Sequence, residues 1–249
     1  MLEKEIYYPM EFDPAVFRPD RPDITPQELF PECVLSMRQF PDFAPYRFVM
    51  EDPRYCTAGG NFRLQLIYTD GACSDNGRAG AVGGIGFAVC NEGRSRTHGA
   101  VRYPLELEGP DGVQHAPTNN RAELRAVIAA LEFRQWYREG WNGVVIATDS
   151  TYVSKGAIEW VLTWATRGWR TAGGGPVANK DLWLRLLRLF RDYAIHGCAI
   201  MMWWIPRKQI SLADRLAKIG ASKAATGSFP ERWVSWGDKT LFEDRDFDF

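Results

Sequence analysis

The stretch 67–77, which reads IYTDGACSDNG, constrains the fold of this chain most. It continues an apolar run that begins at Leu64, passes Asp70 and then enters a cluster of glycine, serine, aspartate and asparagine. The run has the length and β-rich composition of an internal strand, and the cluster is typical of a turn. The sequence therefore predicts a buried strand that ends on the carboxylate of Asp70.

Three more acids stand near the predicted starts of helices. Glu123 lies in TNNRAEL, Asp149 directly follows the apolar strand VVIAT, and Asp214 lies in SLADRLA. Each has a structural alternative, because Asp70 belongs to an Asp-Gly turn pair and the other three have positions or spacings of helix caps. Four acids beside one sheet, however, would repel one another unless cations held them. The set therefore predicts a site for a divalent cation that prefers oxygen ligands, such as Mg²⁺.

Composition is that of an ordinary soluble protein with a sizeable core. The chain has 249 residues, 45% of them hydrophobic, and five cysteines without Cys-x-x-Cys spacing. This cysteine usage predicts free thiols and a reducing compartment. The N-terminus does not read as a signal peptide and no run of eighteen apolar residues occurs, so we expect an intracellular protein without a membrane span.

Charge is distributed unevenly along the chain. The net charge is −1, but segments carry about −4 over residues 1–63, about +6 over 64–227 and about −3 over 228–249. The segment that holds the acidic motifs is thus the basic one. We take this as support for an anionic partner, with a merely solvated surface as the alternative.

Periodicity predicts a mixed α/β layer fold. The predicted strands are 64–68, 83–90, 96–101, 144–148 and 198–205, and the predicted helices are 120–139, a helix after Asp149, 157–167, 180–195 and 211–225. Residues 1–62 are rich in proline, with one short helix capped by Thr25, and we expect their aromatic residues to pack on the main domain. The predicted organisation is an N-terminal extension over 1–62, a main domain over 63–227 that carries the acidic motifs, and an acidic tail over 228–249.

The four acidic motifs, in this order, resemble those of the type 1 ribonuclease H family. The likeness covers about residues 63–225. It implies a ribonuclease H-like five-stranded mixed sheet, with three antiparallel strands followed by two strands parallel to the first, flanked by helices. It also implies an endonuclease that hydrolyses the RNA strand of RNA/DNA hybrids.

The resemblance assigns the chemistry to four carboxylates. Asp70, Glu123, Asp149 and Asp214 would bind two Mg²⁺ ions, with Mn²⁺ as an alternative, and would leave a 5′-phosphate and a 3′-hydroxyl. Bacterial and animal members carry a histidine in the loop before the last helix, which this chain lacks. Arg207 and Lys208 are the cations that stand in the shorter loop, where they either assist product release or are simply solvated.

The same resemblance assigns two sets of substrate contacts. The residues expected on the RNA strand are Asn76, Cys73, Ser74, Asn119 and Asn120. Those expected on the DNA strand and its phosphate are Thr118, Asn179, Trp164, Tyr152, Thr171 and Arg170. Turn and cap chemistry is the alternative for the asparagines, and Trp160, four residues before Trp164, is expected in the core.

The expected partner is an RNA/DNA hybrid bound by a monomer. Two other functions stay open: an inactive module that binds hybrids on the same scaffold, and a 3′ exonuclease of the wider superfamily. The intact acids favour cleavage over the first. Asn119, Asn120 and the tryptophan-rich stretch 160–169 argue against the second.

Overall fold

The computed structural model describes residues 14–34, 46–52, 62–89 and 99–223, which are organised around one eight-stranded sheet. Its strands are β1 (Ala15–Val16), β2 (Glu32–Val34), β3 (Tyr46–Asp52), β4 (Phe62–Cys73), β5 (Gly83–Ala88), β6 (Ala100–Pro104), β7 (Gly143–Thr148) and β8 (Ala199–Trp204). The main path runs β1-β8-β7-β4-β3-β2, and β5 lies between β4 and β6.

Strand directions match the predicted fold class. β4, β5 and β6 are antiparallel neighbours, and β7 and β8 both run parallel to β4. The ribonuclease H-like five-stranded mixed sheet is therefore confirmed. β1, β2 and β3 were not predicted, and they extend this sheet from the N-terminal segment.

Helices cover both faces of the sheet. They are α1 (Pro26–Leu29), α2 (Asn119–Phe133), α3 (Thr151–Lys155), α4 (Val161–Thr166), α5 (Lys180–Ile195) and α6 (Ser211–Ala221), with a π-helical turn at Gly156–Trp160 and 3₁₀ turns at Trp136–Glu139 and Arg207–Gln209. Ile67 of β4 packs in the core with α2 and α5, whereas Leu66 and Tyr68 belong to a second cluster on the other face. The alternation follows from the period of two along a strand.

Several predicted boundaries were wrong. β4 does not end at Asp70 but continues to Cys73, because its last residues pair with β5. β6 begins at Ala100 rather than at residue 96, and residues 96–98 lie outside the described ranges. α2 ends at Phe133 because the next residue, Arg134, has an extended backbone, so the predicted helix to residue 139 is a helix followed by a 3₁₀ turn.

Gly71 sets the distance between β4 and α2. A Cβ atom at this position would lie 2.2 Å from both the carbonyl carbon of Ala122 and the nitrogen of Glu123. Such a contact is far shorter than van der Waals packing allows, and the neighbours are backbone atoms that cannot rotate away. The absence of a side chain at Gly71 thus brings the backbone of Glu123 directly beside the strand that carries Asp70.

We expect Gly71→Ala to destabilise the fold strongly. The added methyl must push α2 away from β4, which should lower the free energy of unfolding by roughly 3 kcal/mol or more. Urea denaturation followed by circular dichroism measures this. Gly173→Ala is the matched control, because its Cβ would approach no closer than 4.0 Å to Thr171 Oγ1, and it should change stability by less than about 0.5 kcal/mol. Equal midpoints for the two variants would contradict the close approach.

The N-terminal segment contributes to the second hydrophobic cluster. Phe30 and Phe48 are buried there together with Trp203 of β8. The ring centroid of Phe17 lies 5.0 Å from that of Trp203, and Phe30 lies 6.1 Å from it. Of the other aromatic residues expected to pack, Phe40, Phe43 and Tyr55 lie outside the described residues. The predicted helix at Thr25 is present, and Thr25 and Glu28 form its capping box.

The predictions of free thiols and of no membrane span can be checked only for the residues that the structure describes. Cys33, Cys73 and Cys198 are free thiols, while Cys56 and Cys90 lie outside the described ranges. Among the described helices, none has the length and apolar character needed to cross a membrane.

Candidate active site

Asp70 is the buried centre of an acidic cluster. It lies in the middle of the sheet on β4, its exposed fraction is 3%, and its Oδ1 accepts a hydrogen bond of 2.8 Å from the Gly71 backbone N–H. A carboxylate with one such donor keeps lone pairs for other partners. The Asp70 carboxylate is therefore a candidate metal ligand inside the fold.

Three elements bring the other acids to Asp70. β7 lies parallel to β4, and Asp149 directly follows β7. Glu123 is on α2, and its Oε2 accepts a 2.5 Å hydrogen bond from the Ser150 hydroxyl. Asp214 lies in the first turn of α6. The four predicted acids are thus collected at one end of the central strands.

Capping does not explain these acids. Thr118 caps α2 by accepting a hydrogen bond from Arg121 N–H, and Ser150 caps α3 by accepting one from Val153 N–H. α6 begins after Ile210 and has no side-chain cap. The alternative interpretation of Glu123, Asp149 and Asp214 as cap residues is therefore wrong.

The acids influence one another's protonation. Burial, followed by the charge of Asp149, raises the pKa of Asp70 to about 7, and Asp214 and Glu123 add to the rise. Burial also raises the pKa of Glu123, with Asp149 again contributing and the Ser150 hydrogen bond opposing. Four carboxylates this close are stable in their charged form only beside cations. The donor set consists of oxygens, which fits a hard divalent ion such as Mg²⁺.

Two cations of the chain already contact these acids. One terminal nitrogen of Arg207 lies 3.4 Å from Asp149 Oδ2, and the other lies 2.8 Å from Asp214 Oδ1. Lys218 Nζ lies 2.7 Å from Asp214 Oδ2. From the sequence alone, Arg207 and Lys208 were equivalent candidates for the cation of the loop before α6. The structure places the Arg207 guanidinium on the cluster and leaves Lys208 exposed on the same turn.

Sequence reasoning missed three supporting residues. Ser150 orients Glu123, Lys218 pairs with Asp214, and the Trp204 indole N–H donates a 3.0 Å hydrogen bond to the backbone carbonyl of Asp149. The spacing of four between Asp214 and Lys218 on one helix was a usable signal. Nothing local in the sequence connects the other two contacts, which join separate elements.

The residues predicted for the RNA strand fall into one surface group. Asn76 Oδ1 accepts a 2.9 Å hydrogen bond from Asn119 N–H, which fixes the loop after β4 against the start of α2. Cys73 and Ser74 end β4 and begin that loop, and Asn120 is exposed one residue further along α2. All five therefore lie on β4, on the loop that directly follows it or at the start of α2, close along the chain to Asp70 or Glu123.

The residues predicted for the DNA phosphate are joined by a hydrogen-bond network. Asn179 has a left-handed backbone with φ of 55° and its Nδ2 donates a 3.2 Å hydrogen bond to the Tyr152 hydroxyl. That hydroxyl also accepts 2.9 Å from Trp183 Nε1. Thr118 is linked through Arg121, whose guanidinium lies 3.5 Å from Asn179 Oδ1. Thr118, Asn179 and Tyr152 are thus brought together.

A buried ion pair lies beneath this network. The Arg121 guanidinium makes two hydrogen bonds to Asp181, of 3.0 and 2.7 Å, and both side chains are 3% exposed. Asp111, His115 and Asp181 also place potential metal-ligating atoms within 4.8 Å of one another. Both Asp181 oxygens are already engaged by Arg121, so this group is a structural ion-pair cluster that holds the start of α5.

The prediction that Trp160 lies in the core needs correction. Trp160 is half-buried and is not part of the buried core, because the π-helical turn at Gly156–Trp160 changes the face that regular α-helical spacing predicted. Trp164 packs edge-on against Trp183, with centroids 5.6 Å apart.

The side chains of Arg170 and Thr171 donate hydrogen bonds to carbonyls of their own loop, at Gly174 and Gly175. The structure does not place these two in the network around Asn179, and their contact with the DNA strand stays a prediction.

Protonation of Asp70 gives a testable pH dependence. Its pKa rises from 3.8 to about 7 on folding, so the folded state binds this proton more tightly than the unfolded chain does. Its contribution favours folding at low pH and is lost as the pH rises from about 4 to about 7. Asp70→Asn keeps the volume and removes the charge, and it should raise the free energy of unfolding at pH 8 by roughly 2 kcal/mol in EDTA.

Urea denaturation in EDTA at pH 4 and at pH 8 checks this expectation. The two proteins should differ in stability much less at pH 4, because Asp70 is protonated in the folded state there and only about half ionised in the unfolded chain. An Asp70→Asn variant that is no more stable than the unsubstituted protein at pH 8 would contradict the buried acidic cluster.

Comparisons with known proteins agree with this geometry. The RNase H family model matches residues 63–222. The ribonuclease H of Cyanothece sp. is 44% identical over 123 residues, which are 49% of this chain and 68% of that protein. Those of Methylococcus capsulatus and Yersinia pestis are 37% and 34% identical, and cover 61% and 63% of this chain and 86% and 88% of those proteins. The chain therefore belongs to the ribonuclease H family, which makes it a ribonuclease.

Proposed function

We propose that this ribonuclease hydrolyses the RNA strand of RNA/DNA hybrids at the acidic cluster with two Mg²⁺ ions, and that it leaves a 5′-phosphate and a 3′-hydroxyl. The observation that carries the proposal is the burial of Asp70 among three other carboxylates at the ends of β4 and β7. Such a concentration of negative charge has a natural role in binding divalent ions. Family membership supplies the reaction class.

Each acid has a defined task in this proposal. Asp70 on β4 and Asp149 directly after the parallel neighbour β7 would hold the metal ions from the sheet, and Glu123 and Asp214 would complete the ligand set from α2 and α6. When bound, two such ions activate a water molecule and stabilise the leaving oxygen of an in-line displacement. The Ser150 hydroxyl keeps Glu123 oriented, and the Trp204 indole holds the backbone of Asp149.

Strand choice follows from the two surface groups. The amides of Asn76, Asn119 and Asn120 both donate and accept hydrogen bonds, as a 2′-hydroxyl partner requires. Thr118 and Asn179 present polar groups above the Arg121–Asp181 ion pair, which suits a phosphate of the DNA strand. Trp164 and Tyr152 lie beside this group and offer ring surface to sugars.

We further propose that the catalytic unit spans residues 63–227 and acts as a monomer, with residues 1–62 as a supporting extension and 228–249 as a tail. The described part of the extension adds β1, β2 and β3 to the sheet rather than forming a separate core. Size-exclusion chromatography with light scattering tests the oligomeric state, and an elution mass of twice 28.3 kDa would refute the monomer.

The strand assignment predicts a selective loss. Asn119→Ala combined with Asn120→Ala removes two groups that pair with hydroxyls, each loss costing on the order of 1 kcal/mol. Hybrid cleavage should therefore fall by roughly thirtyfold, while salt-sensitive binding to double-stranded DNA should stay nearly constant. Cleavage of labelled hybrid and filter binding of duplex DNA measure the two effects. Duplex RNA cut as well as hybrid by the unsubstituted protein would refute the assignment.

A further inference from the structure

The Arg207 guanidinium and a metal ion require the same oxygens. Arg207 contacts Asp149 Oδ2 at 3.4 Å and Asp214 Oδ1 at 2.8 Å, and Lys218 contacts the second oxygen of Asp214 at 2.7 Å. A hard divalent ion that binds this cluster takes ligands from these carboxylates. A guanidinium and a metal ion cannot both use the same lone pairs at full strength.

The contact of Arg207 with the acids is exposed to solvent. Its side chain is 70% exposed, and it follows Pro206 on the short 3₁₀ turn Arg207–Gln209. Exposed ion pairs are weak and are screened by salt. The Arg121–Asp181 pair differs from the Arg207 contacts, because both its side chains are only 3% exposed. Separating that pair would leave two unpaired charges buried in the protein.

We propose that Arg207 is an exchangeable counter-ion of the acidic cluster. Metal binding displaces its guanidinium from Asp149 and Asp214, and the freed guanidinium pairs with a phosphate of the RNA strand beside the site of cleavage. The planar, permanently charged fork of arginine suits both partners, since carboxylates and phosphates each accept two parallel N–H donors. The inference rests on the proposed function for its second half, and on the ion pairs alone for its first.

Calorimetric titration of Mn²⁺ and Mg²⁺ into the full-length protein without nucleic acid tests the first half. Arg207→Gln removes the competing guanidinium, and the metal should then bind at least about fivefold more tightly. Lys208→Gln is the matched control, because it deletes one positive charge from an exposed neighbour on the same turn. It should tighten metal binding less than twofold.

Hybrid cleavage at saturating metal tests the second half. Arg207→Gln should lower kcat/KM about tenfold although metal binds more tightly, because the phosphate loses its partner. Tighter metal binding with undiminished cleavage would overturn the phosphate role. Metal affinity in Arg207→Gln that is equal to that in Lys208→Gln, or weaker than in the unsubstituted protein, would overturn the exchange. Calorimetry needs no substrate, so the two proposals can fail separately. If Arg207→Gln binds metal more tightly but the unsubstituted protein cuts no hybrid, the proposed function is refuted and the exchange still holds.

Discussion

Asp70→Asn and Asp149→Asn should each reduce hybrid cleavage at least about a thousandfold while leaving the fold intact. Both substitutions keep the volume of the side chain and delete one negative charge from the proposed ligand set. Asp70 sits at the centre of that set, where burial and three neighbouring acids raise its pKa. A neutral amide oxygen at this point is a weaker ligand for a hard cation, because it lacks the charge of the carboxylate.

Single-turnover cleavage of a labelled hybrid in Mg²⁺ measures the loss, and circular dichroism establishes that the fold is kept. Asp23→Asn is the control, because it removes an acid that is exposed on the N-terminal segment, and it should cut at the unsubstituted rate. An Asp149→Asn protein that cuts within tenfold of that rate would remove the basis for placing the metal ions at these four acids.

Removal of the N-terminal segment should produce the largest loss of stability. A chain that begins at Gly60 lacks Phe17, Phe30 and Phe48, and thereby exposes Trp203 and its neighbours on one face of the sheet. Truncating one buried phenylalanine to alanine costs about 3–5 kcal/mol. The truncated chain should lose at least that much, which is a large share of a typical domain's free energy of unfolding.

Thermal denaturation of the truncated chain checks this, and Phe30→Ala in the full chain provides the test if the truncated chain does not fold. Val16→Ala is the control, because Val16 is exposed on β1, and it should have little effect. Both truncated and Phe30→Ala chains melting within about two degrees of the unsubstituted protein would contradict the role of this cluster. A truncated chain that folds should still cut hybrid, and a selective loss of hybrid affinity would show that the extension also binds substrate.

Local patterns were sufficient for several elements of the fold. The helix predicted at 180–195 has those limits in the structure, and the strand predicted at 144–148 ends at Thr148, directly before Asp149, because apolar periodicity and turn residues act over short distances. The extension of β4 beyond Asp70 was not predictable in this way. It depends on pairing of Gly71–Cys73 with Gly83–Ile85, and the intervening turn residues conceal that pairing.

The features of the site that could not be predicted from the sequence depend on contacts between distant segments. The Ser150–Glu123 hydrogen bond joins residues 27 positions apart, and the Trp204–Asp149 bond joins residues 55 apart. The difference between Arg207 and Lys208 depends on which side chain the 3₁₀ turn directs toward Asp149. The N-terminal strands β1–β3 are short or lie in proline-rich sequence, where pairing with β8 and β4 supplies the order that local propensity does not.

The most direct measurement is the analysis of products from a hybrid whose RNA strand and DNA strand carry different labels, incubated with the full-length protein in Mg²⁺ and, in parallel, in EDTA. We expect internal cuts in the RNA strand alone, with a 5′-phosphate on one fragment and a 3′-hydroxyl on the other, and no cutting in EDTA or by Asp149→Asn. Cutting of the DNA strand, removal of single nucleotides from an end, or cleavage that continues in EDTA would contradict metal-dependent hydrolysis of hybrids at the acidic cluster.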